Sequence, residues 1–247
     1  MIGKLKDFVR LVRVLVVRLI VWRKTFDFET AGEAVLVVAP HPDDEVLGCA
    51  GLVQRLLTVG RQVDVVILSG GGRSHAGCCG IDEAALVENR RQLSRRAAGI
   101  IGLPTERLHF LDYPDGGIAF DNAETGRFRQ LMAALKPDSV FVPHHGEGWS
   151  DHLAAGEIAR RLVKENGKMV RLFEYCVWFW YYNTWDNDWR QARVLKMSHD
   201  ENRKKQQAID AYVKPLAPCG RPWSGVLPRV FVNACCWNKE LYFEVER

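Results

Sequence analysis

The chain has no Cys-x-x-Cys pair, no Gly-x-Gly-x-x-Gly fingerprint, and no lysine in P-loop register behind its one glycine triplet, Gly70-Gly71-Gly72. Those absences argue against a Cys-type zinc site and against phosphate cradling. The seven cysteines (Cys49, Cys78, Cys79, Cys176, Cys219, Cys235 and Cys236) are odd in number. They read as buried or incidental thiols of a reducing, cytoplasmic setting, not as a disulfide framework. Net charge is only +4, and no RRM-, helix-turn-helix- or finger-like pattern accompanies it, so a nucleic-acid partner is not expected. Internal repeats and low-complexity tracts are also missing. In the Val/Leu/Arg-rich stretch 3–24, Arg10, Arg13 and Arg18 interrupt what would otherwise be a signal-peptide core or a membrane span.

At 100° per residue, Lys6, Arg10 and Arg13 share one face of that stretch, and Leu5, Phe8, Val9, Leu15, Val16 and Leu19 fill much of the rest. Residues 1–26 therefore read as a basic amphipathic helix, with 27–247 as one larger domain. Two placements stay open for the helix. It lies on an anionic membrane surface, peripheral to the inner face, or it packs on its own domain or on a second copy of the chain.

The remainder alternates strand and helix. Strands are expected at Val35–Ala39, Val63–Ser69, Leu108–Leu111, Ser139–Pro143, Leu172–Trp178 and Arg229–Asn233. Helices are expected at Gly48–Thr58, Glu83–Ile101, Ala123–Leu135, Leu153–Glu165 and Asp200–Tyr212. That rhythm predicts an α/β, Rossmann-like three-layer fold with a mostly parallel sheet. The Pro- and Gly-bearing stretch 215–228 reads as a long surface loop. The aromatic run Trp178-Phe179-Trp180-Tyr181-Tyr182 reads as core or subunit packing in preference to a sugar groove.

What is present is concentrated in Val35 to Gly51. The apolar run Val35-Leu36-Val37-Val38 leads directly into His41-Pro42-Asp43-Asp44-Glu45. One Asp would serve as a helix N-cap. Two Asp, a Glu and a His side by side call for a cation or a shared proton, at a strand end where open α/β sheets hold their ligands. A second strand, Ser139–Pro143, runs into His144-His145-Gly146-Glu147-Gly148-Trp149-Ser150-Asp151-His152. If the two strands are neighbours, His41, Asp44 and His152 make a two-imidazole, one-carboxylate set that suits zinc with an open position for water. Asp43 would stand beside it to take the water's proton. Asp115 and Glu147 remain as spare carboxylates.

These motifs, with Gly48 after the first and Gly156 after the second, resemble the PIG-L/LmbE-like family of zinc-dependent de-N-acetylases. Echoes include Arg90, Phe110 to Gly116, Glu174 to Trp178, Lys205 to Tyr212, and Glu240 to Phe243. The resemblance spans roughly 33–247. It implies amide hydrolysis of an N-acetylated amino-sugar conjugate, N-acetylglucosamine-like, either free or lipid-linked. Zn2+ is the implied metal, with Fe2+ another divalent ion that the set would accept. His41, Asp44 and His152 match the metal ligands, and Asp43 matches the general base. Asp151 matches the support of the second histidine, and Arg90 and Asp115 match substrate contacts. The family often places a histidine three residues before the last ligand. Here that position is Trp149, so His144 or His145 is expected to replace it, or the metal alone polarises the carbonyl. Leu93 likewise stands where an acidic residue is expected three after Arg90. These departures keep a second reading, a catalytically weak or inactive sugar-binding protein of the same fold.

Overall fold

In Val35 to Ala39, apolar side chains occupy both parities of the strand, so both of its faces must be covered. The computed structural model, which describes every residue except 1, 25, 29–31, 79, 167–168, 183–184 and 246–247, meets that demand. Its strands are β1 (Phe26–Asp27), β2 (Ala34–Ala39), β3 (Gln62–Ile67), β4 (Leu108–Phe110), β5 (Ser139–Pro143), β6 (Arg171–Tyr175), β7 (Ala192–Lys196) and β8 (Lys239–Glu244). Its helices are α1 (Ile2–Lys24), α2 (Asp44–Thr58), α3 (Glu83–Ile101), α4 (Glu124–Leu135), α5 (Ser150–Glu165), α6 (Phe179–Tyr182), α7 (His199–Val213) and α8 (Arg229–Cys235).

The strands form one sheet in the order β1-β7-β8-β6-β5-β2-β3-β4. Only β8 runs antiparallel to its neighbours, β6 and β7. From β4 to β6 the order is Rossmann-like, and the chain reverses direction across the sheet between β2 and β5, the switch point where such sheets bind ligands. Val35, Val37 and Ala39 enter one core with α1, α2, α3, α7 and α8. Leu36 and Val38 enter a second core with α4 and α5. The three-layer expectation holds.

Five elements differ from expectation. Arg229–Asn233 is the start of helix α8, not a strand. Pro228 sits at its N-cap in the extended conformation usual there, φ −62° and ψ 136°, and Phe231, Ala234 and Cys235 recur at helical spacing on the buried side. The strand expected at Leu172–Trp178 ends at Tyr175. Trp178 then stacks on Phe231 at 4.1 Å, so the aromatic run belongs to packing. Strands β1, β7 and β8 carry charged residues along their length, which hid them in the sequence. Cys79 lies outside the described residues. Cys78 and Cys219 bring their sulfurs within 3.9 Å of each other.

Candidate active site

Strands β2 and β5 are hydrogen-bonded neighbours, with Val35 opposite Ser139. Their carboxyl ends therefore deliver both polar clusters to one place. His41, Asp44 and His152 converge with ligand atoms within 4.8 Å of one another. His41 Nδ1 is 3.5 Å and His152 Nε2 is 3.4 Å from the same Asp44 oxygen. Asp44 also accepts the His41 backbone N–H at 3.0 Å. The other nitrogen of each imidazole has its own carboxylate. His41 Nε2 faces Asp151 at 3.0 Å, and His152 Nδ1 faces Glu147 at 2.7 Å. That arrangement fixes ring orientation and leaves a nitrogen of each ring toward Asp44, as in carboxylate–histidine–metal sites. The donor set fits a divalent ion such as zinc.

Asp151 and Glu147 are themselves held by backbone. Asp151 accepts the N–H groups of Gly116 (2.7 Å) and Ile118 (3.3 Å). Glu147, fully buried, accepts those of Val177 (2.5 Å) and Phe179 (3.2 Å). The expectation that Asp151 supports His152 is corrected: adjacent residues at the start of α5 point apart, Asp151 supports His41, and Glu147 supports His152. Glu147 is the residue that sequence reasoning left as a spare. Its five-residue offset from His152 carries no motif, because the loop 144–149 folds back to make the contact.

Asp43 occupies the N-cap of α2, yet its side chain makes no cap bond. Its φ of 116° is a strained setting for a non-glycine residue. The helix start is served by the Asp43 carbonyl, which accepts the N–H groups of Val46 and Leu47, so the carboxylate is free for other work. Burial, then Asp44 and Glu45, push its pKa well above the usual carboxylate range. Burial raises Glu45 to about 7, against the hydrogen bond from Tyr212. Burial opposes charge on His152 too, but Asp44 and Glu147 outweigh it and raise the ring to about 9. His41 is likewise raised, burial being overcome by Asp115, Asp151 and Asp44. Asp44, by contrast, is held low against burial by His152 and His41, and three consecutive buried carboxyl groups are an environment that a cation relieves.

Arg90 is not open to a substrate. It is 4% exposed and donates to the carbonyls of Gly71 (3.0 Å) and Pro42 (2.8 Å), 3.8 Å from Asp43 Oδ2. It staples the loop that carries Asp43. A Cβ on Gly71, at φ +68°, would fall 2.2 Å from that guanidinium, so part of the glycine triplet makes room for Arg90. Leu93 is spent on core packing. Asp115 borders His41, with Oδ1 3.4 Å from Nε2, and its other oxygen accepts the Arg73 N–H at 2.7 Å.

A profile of the PIG-L family, described as GlcNAc-PI de-N-acetylase, matches residues 36–163, from within β2 to within α5, and so includes both clusters. The chain belongs to the PIG-L family. It is 29% identical over 138 residues to the diacetylchitobiose deacetylase of Thermococcus kodakarensis, a match covering 54% of this chain and 50% of that protein. The chain thus spans about half the length of the curated relative it matches. Among solved structures, the conserved protein TT1542 of Thermus thermophilus is 28% identical, with a TM-score of 0.56, over 73% of this chain and 79% of that one. The 4-carboxy-2-hydroxymuconate hydratase GalB of Pseudomonas putida KT2440 is 21% identical, with a TM-score of 0.57, over 73% and 78%. That likeness shows the fold alone, and a fold shared with a hydratase does not name the bond that is broken.

In this PIG-L chain the replacement of the missing histidine by His144 or His145 does not form. Both rings turn to Glu174: His145 Nδ1 lies 2.6 Å and His144 Nε2 3.8 Å from it, and the two rings stack at 4.4 Å. Burial lowers His144 to about 3, so it stays neutral. Arg160 also binds Glu174. Trp149, 46% exposed at the N-cap of α5, lies against Trp178 at 5.1 Å.

Proposed function

We propose that the protein is a metal-dependent amide hydrolase that removes an N-acetyl group from an amino-sugar conjugate, N-acetylglucosamine-like, free or lipid-linked, in the cytoplasm. The observation that carries this reading is a buried carboxylate, Asp43, released from helix capping and standing next to the His41–Asp44–His152 set. Binding alone needs no such group, which favours catalysis over the sugar-binding alternative.

His41, Asp44 and His152 would hold the ion, zinc or ferrous iron. When bound, the ion supplies Lewis acidity to the attacking water and to the acetamide carbonyl, the latter without help from a histidine at position 149. Asp43 takes one proton from the water as its oxygen attacks the acetyl carbon. The C–N bond then breaks, and Asp43 returns that proton to the leaving amine, giving a free amino sugar and acetic acid, which loses its own proton to solvent as acetate. Arg90 keeps the Asp43 loop in position. Asp151 and Glu147 hold the two imidazoles in register. Asp115, at the partly open side of His41, contacts a sugar hydroxyl. His144 and His145 have no step in this scheme.

The test is acetate release from N-acetylglucosamine conjugates, free and lipid-linked, by zinc-loaded protein and its Asp43→Ala variant. Release should fall by at least about 10²-fold in the variant while metal content is kept. Equal release by the two proteins would remove Asp43 from the mechanism.

A further inference from the structure

Helix α1 turns three arginines toward the body of the molecule and an apolar side outward, with Lys6 and Arg23 exposed. Val14, Val17 and Val21 are buried against the body of the molecule. Arg10 donates to the hydroxyls of Tyr181 and Tyr182 and lies 3.9 Å over the Tyr181 ring. Arg13 lies 4.7 Å over Trp185, and Arg18 lies 4.9 Å over Trp237 while donating to the carbonyls of Asn233 and Ala234. The opposite side presents Leu5, Phe8, Val12, Leu15, Leu19 and Trp22, all exposed, with Phe8 at 61% and Trp22 at 68%.

A surface of that kind needs an occupant. A second copy of the helix would be met by a narrow seam with charged shoulders. Here the shoulders, Val9, Leu11 and Val16, are also exposed and apolar. The arc is therefore about 160° wide at 100° per residue, and among the described side chains only Arg23 enters it, at the C-terminal end. Charge points the same way. The helix holds seven basic residues and one acidic residue, a net +6. The whole chain is +4, so the remainder is −2 and the positive charge is concentrated on this helix. Trp22, Trp185 and Tyr182, all exposed, are residue types that settle at a lipid–water boundary. No helix among the described residues is long and apolar enough to cross a membrane.

From this we infer that α1 docks in the plane of an anionic lipid bilayer, its outward face in the acyl boundary and the exposed Lys6 and Arg23 among the headgroups. The full-length protein is floated with vesicles of phosphatidylcholine alone and of phosphatidylcholine containing about 30% phosphatidylglycerol. Binding should be at least about tenfold greater to the anionic vesicles, and Leu15→Glu/Leu19→Glu should abolish it. Those two side chains face away from the body, and the variant's helicity and metal content report that its fold is kept. Absence of binding to either vesicle, or binding unchanged in the variant, would overturn the inference. So would a dimer in sedimentation velocity that becomes a monomer in the variant without any vesicle binding, which would assign the face to a second copy. No substrate is involved, so failure here leaves the hydrolase reading standing and tested separately.

Discussion

At residue scale the site is organised by what stands behind each ligand. Glu147 is fully buried and spends one oxygen on two backbone N–H groups and the other on His152. Glu147→Gln is nearly isosteric but cannot hold the same ring tautomer as strongly. It should weaken zinc binding by about 10- to 100-fold, as read by competition with a chromogenic chelator, while the helical circular dichroism signal stays. Unchanged affinity would deny Glu147 this role. The site residues were legible in the sequence because they fall in two short motifs: His41, Asp43 and Asp44 follow one strand, and Asp151 and His152 open one helix. The pairings behind them were not. Asp151 crosses to His41, and Glu147 reaches His152 through a folded loop, so adjacency in sequence gave the wrong partner. Arg90 was misread for a related reason. Its helix position was clear, but the acceptors, Gly71 and Pro42, are backbone carbonyls that no residue type announces.

At the scale of elements, α2 is pinned from the far side of the site. Lys205 of α7 donates to the Leu47 carbonyl at 2.9 Å and to Glu240 of β8 at 2.7 Å. Glu240 accepts the N–H groups of Gly51 and Leu52 and the hydroxyl of Tyr242. Both charged ends are 1% exposed, so each is tolerable only with its partner. Glu240→Gln should cost roughly 3 kcal/mol in chemical denaturation, since it strands the Lys205 ammonium. The double change Lys205→Met/Glu240→Leu should recover much of that loss. A single variant as stable as the parent would show that the pair is not needed. The sequence echoes at Lys205 to Tyr212 and Glu240 to Phe243 thus mark the support of α2, with Tyr212 bonded to Glu45. Helices α2, α3, α4, α5 and α7 were legible from period and caps, whereas α8 was read as a strand and β7 and β8 were not read. Both interleave charged side chains with apolar ones, and Glu240 and Arg193 find partners only once the sheet is assembled.

For the whole molecule, metal and protons compete for the same groups. In the metal-free chain His152 is raised to about 9, from an ordinary value near 6.5. A raised folded value means stabilisation that is fully present below about 6.5 and is lost as pH climbs through about 9, amounting to about 3 kcal/mol. Glu45, raised to about 7, acts in the same direction, since its buried carboxyl is favoured only while protonated. Chelator-treated protein should therefore lose several degrees of Tm between pH 6 and pH 9.5. An ion requires His152 without its proton, so the Tm gained on adding zinc should grow over that range. A gain that is flat, or that shrinks with pH, would contradict the ligand assignment.

One divalent ion is expected among His41, Asp44 and His152. Anomalous scattering at the zinc edge from a zinc-soaked crystal tests it most directly. The account predicts a single peak per chain, bound by those three side chains, with Asp43 beside it and the His144–His145–Glu174 cluster free of metal. A peak on that second cluster, a peak between His41, Asp115 and Asp151, or no ordered metal at all would contradict it.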